Sequence, residues 1–290
     1  MCLTPGGLLC VLVLGLARAL RPEVGGRPYH LMVSPGDIAG YVLLPGDPGR
    51  VPRIARYWGE ARLVGEHRGF VSYTGVYKGV RVSAVSTGIG GPSTAIVLEE
   101  LLSLGAHTFI RVGTTGAIVD YIDVGDLVIN IASVRLDGVT RAYAMPEYPA
   151  TASLEVTLAL MMAAEQLGVR YHVGVGASTD SFYVGQERPG YKGYMTPWNR
   201  GLMETLRSMR VLNFEMENST IFTLASIYGA RAGSVCTVVA NRVKDVLVPD
   251  AGVEEAIRVA NEAVYILNQW DNLARELGSM VKAITTWTRR

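Results

Sequence analysis

The chain has 290 residues, 49% of them hydrophobic and 18% charged, with a formal net charge of +1 at pH 7. That length suits one large domain or two small ones, with ample sequence to bury a core. The near-neutral balance gives no electrostatic case for nucleic acid or an anionic membrane as the main partner, and the apolar fraction argues against a largely disordered chain.

The first stretch stands apart. Residues 8–20, LLCVLVLGLARAL, are apolar like a signal-peptide core, and Ala17-Arg18-Ala19 mimics a cleavage site. No Lys or Arg precedes that core, however, and Arg18 and Arg21 interrupt it too soon for a bilayer span. Residues 1–28 are therefore read as a non-catalytic N-terminal extension. Cys2 and Cys10 lie inside it, so Cys236 is left alone in the body without a disulfide partner. A reducing, cytoplasmic setting is expected.

From about Tyr29 onward, strands and helices alternate. Residues 41–47, YVLLPGD, form an apolar strand ending in a turn, with a short helix expected over 48–58. Residues 70–77 and 80–88 flank Lys78-Gly79 as a hairpin. Residues 92–105 have helical periodicity, with Pro92 near the start and Gly105 just past the end. Strands are expected over 107–113, 126–134 and 171–178, with an apolar helix over 154–167. A helix over 199–209 precedes strand-like VLNFE, residues 211–215. A helix over 216–228, a buried strand over 232–241 and a long amphipathic helix over 251–276 complete the series. The alternation predicts a single α/β domain over 29–276, a central mixed β-sheet flanked by helices, with a C-terminal tail over 277–290. No repeat or linker divides the body.

Several phrases could carry chemistry. LLPGDPGR, residues 43–50, ends a strand in a tight turn whose backbone N–H groups can meet an anion, with Arg50 in reach. Such turns are also common strand ends. STGIGGPSTAIVLEE, from Ser86, sets glycines before a helix N-terminus where phosphate could sit. It lacks both the P-loop lysine and the Gly-x-Gly-x-x-Gly spacing, so nucleoside triphosphates and NAD are poor candidates. In FIRVGTTGAI, residues 109–118, Arg111 sits inside an apolar strand and needs an accepting partner. That partner is an internal carboxylate or, with Arg50, a small dianion such as inorganic phosphate.

NFEMENS, residues 213–219, sets Glu215 and Glu217 either side of Met216 at a strand-to-helix junction. A carboxylate there can accept from both vicinal hydroxyls of a ribose. The pair also admits a glycosidase acid and nucleophile, although near neighbours more often point one inward and one outward, leaving one structural. FYVGQER, residues 182–188, combines an aromatic pair with an amide and a guanidinium; a surface turn is its bland alternative. His107 and His172 read as strand-edge residues without metal-ligand spacing. Trp270, Trp287 and the basic end TTWTRR are expected to pack or fray rather than bind nucleic acid.

Taken in order, PGDPGR, STGIGGPSTAIVLEELLSLGAHTFIRVGTTGAI, SVRLDG, DSFYVGQER and NFEMENSTIFTLA resemble the uridine phosphorylases of the nucleoside phosphorylase-I superfamily, across residues 29–275. The resemblance implies reversible phosphorolysis of uridine to uracil and α-D-ribose 1-phosphate, with inorganic phosphate as co-substrate and no cofactor. By the same resemblance Gly46, Arg50, Arg111 and Thr114 bind phosphate, and Arg68 comes from a neighbouring subunit. Glu217 holds the ribose 2′- and 3′-hydroxyls beside Met216 and Thr114, while the neighbour's His30 meets the 5′-hydroxyl. Phe182 packs on sugar and base, Gln186 and Arg188 read the uracil edge, and Val239 and Ala240 line the base pocket. A homohexamer built as a trimer of dimers is also implied.

One departure, one contrast that argues against a purine leaving group, and two rivals bear on this. Superfamily members with a monovalent cation between subunits carry a Glu directly after the Arg of the His-Arg phrase. Gly69 stands there, which argues against a potassium site although Ile89 and Ser93 match its other positions; no other metal is expected. Purine phosphorylases of the superfamily place a Ser-Asp phrase after the late strand, where this chain reads Asn241-Arg242. The rivals are a nucleosidase of the same fold, using water, and a binding protein without turnover.

Overall fold

The computed structural model describes Leu20 and residues 22–288, so all of the apolar leader but Leu20 lies outside the described residues. A small ribbon of β1 (Glu23–Val24) and β2 (Arg27–Pro28) precedes the main sheet. β3 (Tyr41–Leu44) is buried at every position, as expected of a parallel strand covered on both faces. After α1 (Arg50–Ala55) come β4 (Gly59–His67), β5 (Phe70–Tyr77) and β6 (Val80–Val85), an antiparallel meander. Lys78 and Gly79 form the expected two-residue turn, with φ of 46° and 81°, the positive values a hairpin twist needs. β4 has no counterpart in the sequence reading. It is a mostly exposed edge strand with two register shifts, so it lacks the clean alternation that identifies strands.

α2 (Gly91–Ser103) follows Gly90, whose φ of 89° excludes most side chains. β7 (Thr108–Ala117) and β8 (Leu127–Leu136) lead through α3 (Thr140–Tyr143) and β9 (Ala150–Thr151) to α4 (Leu154–Leu167) and β10 (Tyr171–Thr179). α5 (Leu202–Ser208), β11 (Asn213–Glu215), α6 (Asn218–Ile227), β12 (Arg231–Asn241) and β13 (Val246–Leu247) then precede the long α7 (Val253–Leu277) and α8 (Met280–Trp287). β7 outruns its expected end by four residues, because Thr114-Thr115-Gly116 reads as a turn but is zipped between β12 and β11.

The strands run β13-β12-β8-β10-β11-β7-β3-β6-β5-β4, and β12 also pairs with β7. β7, β12, β8, β10 and β11 therefore close into a ring, a refinement of the central mixed sheet that periodicity does not contain. A register shift between Val238 and Ala240 leaves Val239 without a partner in β7, and its carbonyl accepts from Val248 N at 2.8 Å instead. One apolar core joins α1, α4 and α7 to the sheet, and another gathers around α2 and α6. Trp270 is fully buried and meets Trp287 of α8 edge to face at 6.1 Å, so the segment read as a tail carries a packed helix. His107 meets the Tyr41 ring edge to face at 5.4 Å, and His172 Nε2 lies 2.9 Å from Asp126 Oδ2. No helix among the described residues is long and apolar enough to cross a membrane.

Candidate active site

β3 and β7 are parallel neighbours with Leu44 opposite Arg111, so their C-terminal ends deliver the Gly-Asp-Pro-Gly turn and the Arg111–Gly116 segment to one edge. There they line a cavity of about 680 Å³. The Asp47 carboxylate accepts from Gly49 N at 2.8 Å and sets the turn. Arg50 is buried and donates from Nη1 to Val112 O at 3.0 Å, while its Nε has no hydrogen-bond partner among the described residues. Arg111 is 4% exposed, and its Nε and Nη1 have no hydrogen-bond partner either. Its side chain folds back across Gly113, where a β-carbon would lie 2.7 Å from Cys236 Sγ and 2.9 Å from Arg111 Cζ. A β-carbon on Gly46 would meet Gly88 O at 3.2 Å, with Arg111 Nη1 next at 4.0 Å. Burial and the neighbouring Arg111 lower the proton affinity of Arg50. Burial works the same way on Arg111, but Glu217, Cys236 and Glu215 outweigh it and raise its pKa. Two buried guanidinium groups with spare N–H donors beside a glycine cradle suit a small anion. Thr114 lines the same wall.

The two carboxylates separate by function. Glu215 accepts from the backbone N–H of Glu217 at 2.8 Å and of Asn218 at 2.9 Å, and from the Ser178 hydroxyl. It thereby satisfies the first turn of α6 and is the structural member of the pair. Arg111 Nε lies 3.1 Å from it, close enough for an ion pair but not aligned as a hydrogen bond. Glu217 accepts from Gly90 N at 2.6 Å and forms a close ion pair with Arg111 Nη2. Burial pushes the Glu217 carboxyl up, against the pull of Arg111. With Glu215 committed to backbone N–H groups, the glycosidase arrangement of acid and nucleophile is not formed. Met216 joins Glu217 in the cavity wall.

FYVGQER is not a surface turn. Gln186 closes a single 3₁₀ turn, is 3% exposed, and donates from Nε2 to Thr179 Oγ1 at 3.1 Å. Its Oε1 accepts from Arg188 Nη1, which also donates to Phe182 O at 2.8 Å. The Arg188 guanidinium lies 4.1 Å from the Phe182 ring centre, a cation–π contact. Burial and Arg242 bring the Arg188 pKa down to about 10. Glu187 turns away and accepts from Gly201 N at 2.6 Å and Met203 N at 2.7 Å, at the start of α5.

Arg242, valued in the sequence only as part of a missing purine phrase, holds the carbonyls of Gln186 at 2.9 Å and Glu187 at 3.4 Å. Its partner Asn241 ties down Val119 O and Ile122 O at 2.9 and 2.7 Å. Val239, Ala240 and Leu247 close the wall; Leu247 carries no sequence signal because only the β12–β13 pairing brings it there.

Eleven of the anticipated residues thus share one cavity: Gly46, Arg50, Arg111, Thr114, Phe182, Gln186, Arg188, Met216, Glu217, Val239 and Ala240. His30 and Arg68 do not. His30 lines a second cavity of about 660 Å³ that shares no lining residue with the first. Arg68 is exposed, with its guanidinium 5.2 Å from the Tyr29 ring centre, and Tyr29 in turn meets the His30 ring at 5.0 Å. The two sit side by side on one patch. At the cation positions, Gly69 offers no ligand side chain, Ile89 is exposed, and the Ser93 hydroxyl donates to Thr87 O.

A cavity at the C-terminal ends of interior strands, with an anion cradle, a buried carboxylate and an amide–guanidinium wall, suits a nucleoside-processing site. The model of the phosphorylase superfamily matches residues 41–269, and the chain belongs to that superfamily. A uridine phosphorylase of Thermococcus kodakarensis is 57% identical over 264 residues, covering 91% of this chain and 95% of that protein. One from Escherichia coli is 46% identical over 217 residues, covering 74% of this chain and 86% of that protein. A guanosine phosphorylase of Halorubrum lacusprofundi is 36% identical over 249 residues, covering 82% and 98% respectively.

Proposed function

We propose that this chain is a uridine phosphorylase, converting uridine and inorganic phosphate, reversibly, to uracil and α-D-ribose 1-phosphate. The observation that carries the reading is the buried Gln186 amide, held between Thr179 and Arg188 in the cavity that also contains the spare N–H groups of Arg50 and Arg111. An amide can accept from uracil N3–H and donate to a carbonyl, and a guanidinium donates to a carbonyl. Arg188 meets β7 at Gly116 and Arg111 folds over Gly113. The amide–guanidinium wall and the anion cradle thus occupy separate stations along one strand of the cavity.

Cleaving the N-glycosidic bond develops positive charge on the ribose and negative charge on departing uracil. A phosphate dianion bound by Gly46, Arg50, Arg111, Thr114 and the partner subunit's Arg68 stabilises that cation and then adds to C1′ with inversion. No side-chain nucleophile is required; the work is positioning and electrostatics. Gln186 and Arg188 face the charge growing on uracil, where a well-aimed donor supplies roughly 3 to 4 kcal/mol. Glu217, beside Met216, holds the 2′- and 3′-hydroxyls, and the partner subunit's His30 meets the 5′-hydroxyl. Phe182, Val239 and Ala240 enclose sugar and base.

In this reading no cofactor takes part and Gly69 removes the carboxylate on which a potassium site would rest. The catalytic domain is residues 29–276, flanked by a non-catalytic extension over 1–28 and a C-terminal segment over 277–290. The enzyme works as a homohexamer, a trimer of dimers, in cytoplasmic salvage and catabolism of pyrimidine nucleosides. A panel of uridine, deoxyuridine, thymidine and guanosine, each with and without phosphate, tests it. The expected result is phosphate-dependent release of uracil with ribose 1-phosphate. Uracil release without phosphate indicates a hydrolase, no product from any substrate a binding protein, and cleavage of guanosine alone a purine enzyme.

A further inference from the structure

We propose that Glu100 is a positioning residue for sugar recognition: it fixes His30 as the Nδ1–H tautomer, so that Nε2 presents a lone pair to the nucleoside 5′-hydroxyl in the neighbouring subunit's site. The proposal rests on the reading above, in which His30 completes a partner's cavity.

Glu100 lies in the last turn of α2 and is the anchor of the segment that carries His30. Its Oε1 accepts from His30 N at 3.0 Å and from His30 Nδ1 at 2.7 Å, and its Oε2 accepts from Leu31 N at 2.8 Å. The oxygen that accepts from the His30 backbone N–H also accepts from Nδ1, which places the ring hydrogen on Nδ1 and leaves the Nε2 lone pair for the hydroxyl. The segment around the ring is held from other sides as well. Tyr29 meets it edge to face at 5.0 Å, His67 Nδ1 lies 3.1 Å from His30 O, and Leu31 is buried in the core at 1% exposure. A carboxylate near a helix C-terminus works against the helix dipole, and no basic residue in that turn of α2 compensates it. The clamp on His30 and Leu31 is what the acid gains there. Arg68, the other residue assigned to the partner's site, reaches the same patch through its 3.3 Å hydrogen bond to the Tyr29 hydroxyl. Glu100 therefore orients one half of a shared site, acting through His30 rather than on the substrate.

The test compares uridine with 5′-deoxyuridine for the wild type, His30→Ala and Glu100→Gln, with phosphate saturating. A glutamine cannot accept all three N–H groups, because its amide nitrogen must face one of them. The expected outcome is that His30→Ala abolishes the preference for uridine in kcat/KM, while Glu100→Gln lowers it about five-fold, the loss of one hydrogen bond. Turnover of 5′-deoxyuridine should fall less than turnover of uridine in both variants, so the ratio of the two kcat/KM values carries the readout. Two-bond NMR correlations of the 15N-histidine-labelled wild type, assigned with His30→Ala, should show His30 protonated at Nδ1; that measurement needs no Glu100 variant to fold. An Nε2–H tautomer in the wild type, or an undiminished preference in Glu100→Gln, overturns the proposal while phosphorolysis of uridine stands. An unchanged preference in His30→Ala overturns the proposal and the partner role of His30 together. Absence of phosphate-dependent uridine cleavage by the wild type overturns the uridine phosphorylase reading itself.

Discussion

Arg111 is held on two sides by carboxylates yet keeps N–H groups to spare, and Gly113 is what lets it lie where it does. Gly113→Ala would set a methyl group 2.9 Å from Arg111 Cζ and must displace the guanidinium. Overpacking of this kind costs about 1–3 kcal/mol. Steady-state kinetics should show KM for phosphate raised about ten-fold or more, with a smaller change in KM for uridine; an unaltered phosphate KM would count against the geometry. Glu217→Ala should cost turnover of ribosides more than of 2′-deoxyribosides, and equal losses would remove the ribose-hydroxyl role.

The pH behaviour of Glu217 follows from its burial. Its carboxyl is pushed up, so the ionised form is disfavoured in the fold. Its stabilising share is complete below the ordinary carboxylate range and is lost as pH rises through the raised value. The hydroxyl-accepting form appears over that same rise. Glu217→Gln should therefore gain on the wild type in melting temperature as pH increases, while losing the acid limb of kcat/KM. A constant difference in melting temperature across pH would refute it. The sequence could say that one of Glu215 and Glu217 is structural. The resemblance implied Glu217 as the functional one, and the backbone N–H groups of residues 217 and 218, turned onto Glu215 by the strand-to-helix bend, give the physical reason that Glu215 is the structural one.

At the scale of elements, the base-reading loop is fastened from behind. Glu187 has φ of 54° and binds two N–H groups at the start of α5, while Arg242 at the end of β12 holds two carbonyls of the same loop. Glu187→Ala removes an N-terminal cap, for which about 1 kcal/mol of stability is the usual loss. Thermal melts should fall by a few degrees and KM for uridine should rise, with KM for phosphate unchanged because the anion cradle lies on β3 and β7. An equal rise in both constants would mean that the loop is not an independent unit. Helices α2 and α7 were legible from their apolar periodicity, with Pro92 and Gly105 marking the ends of α2, and α4 from the length of its apolar run. β4 and the end of β7 were not: an exposed, bulged edge and a Thr-Gly run look like loops until their partners are in place.

For the whole molecule, the patch that joins His30, Tyr29 and Arg68 lies apart from the cavity, and the proposed function assigns it to a second copy. Mixing Glu217→Ala subunits with Arg68→Ala subunits, each impaired alone, should restore activity as hybrid dimers form, since one of the two shared sites is then intact. Activity that stays at the sum of the separate variants would show that each chain serves only its own site.

By itself the sequence determined the alternation of strands and helices and, through its resemblance to a family, eleven of the residues that line the cavity. Hydrophobic period, glycine punctuation and the order of short polar phrases are properties of neighbouring residues along the chain. It did not determine the closure of β7, β12, β8, β10 and β11 into a ring, the β12 register shift at Val239, the Arg242 brace or the Glu100 clamp on His30. Each of these joins residues from distant segments, and strand pairing and side-chain geometry bring such segments together only after the chain has folded.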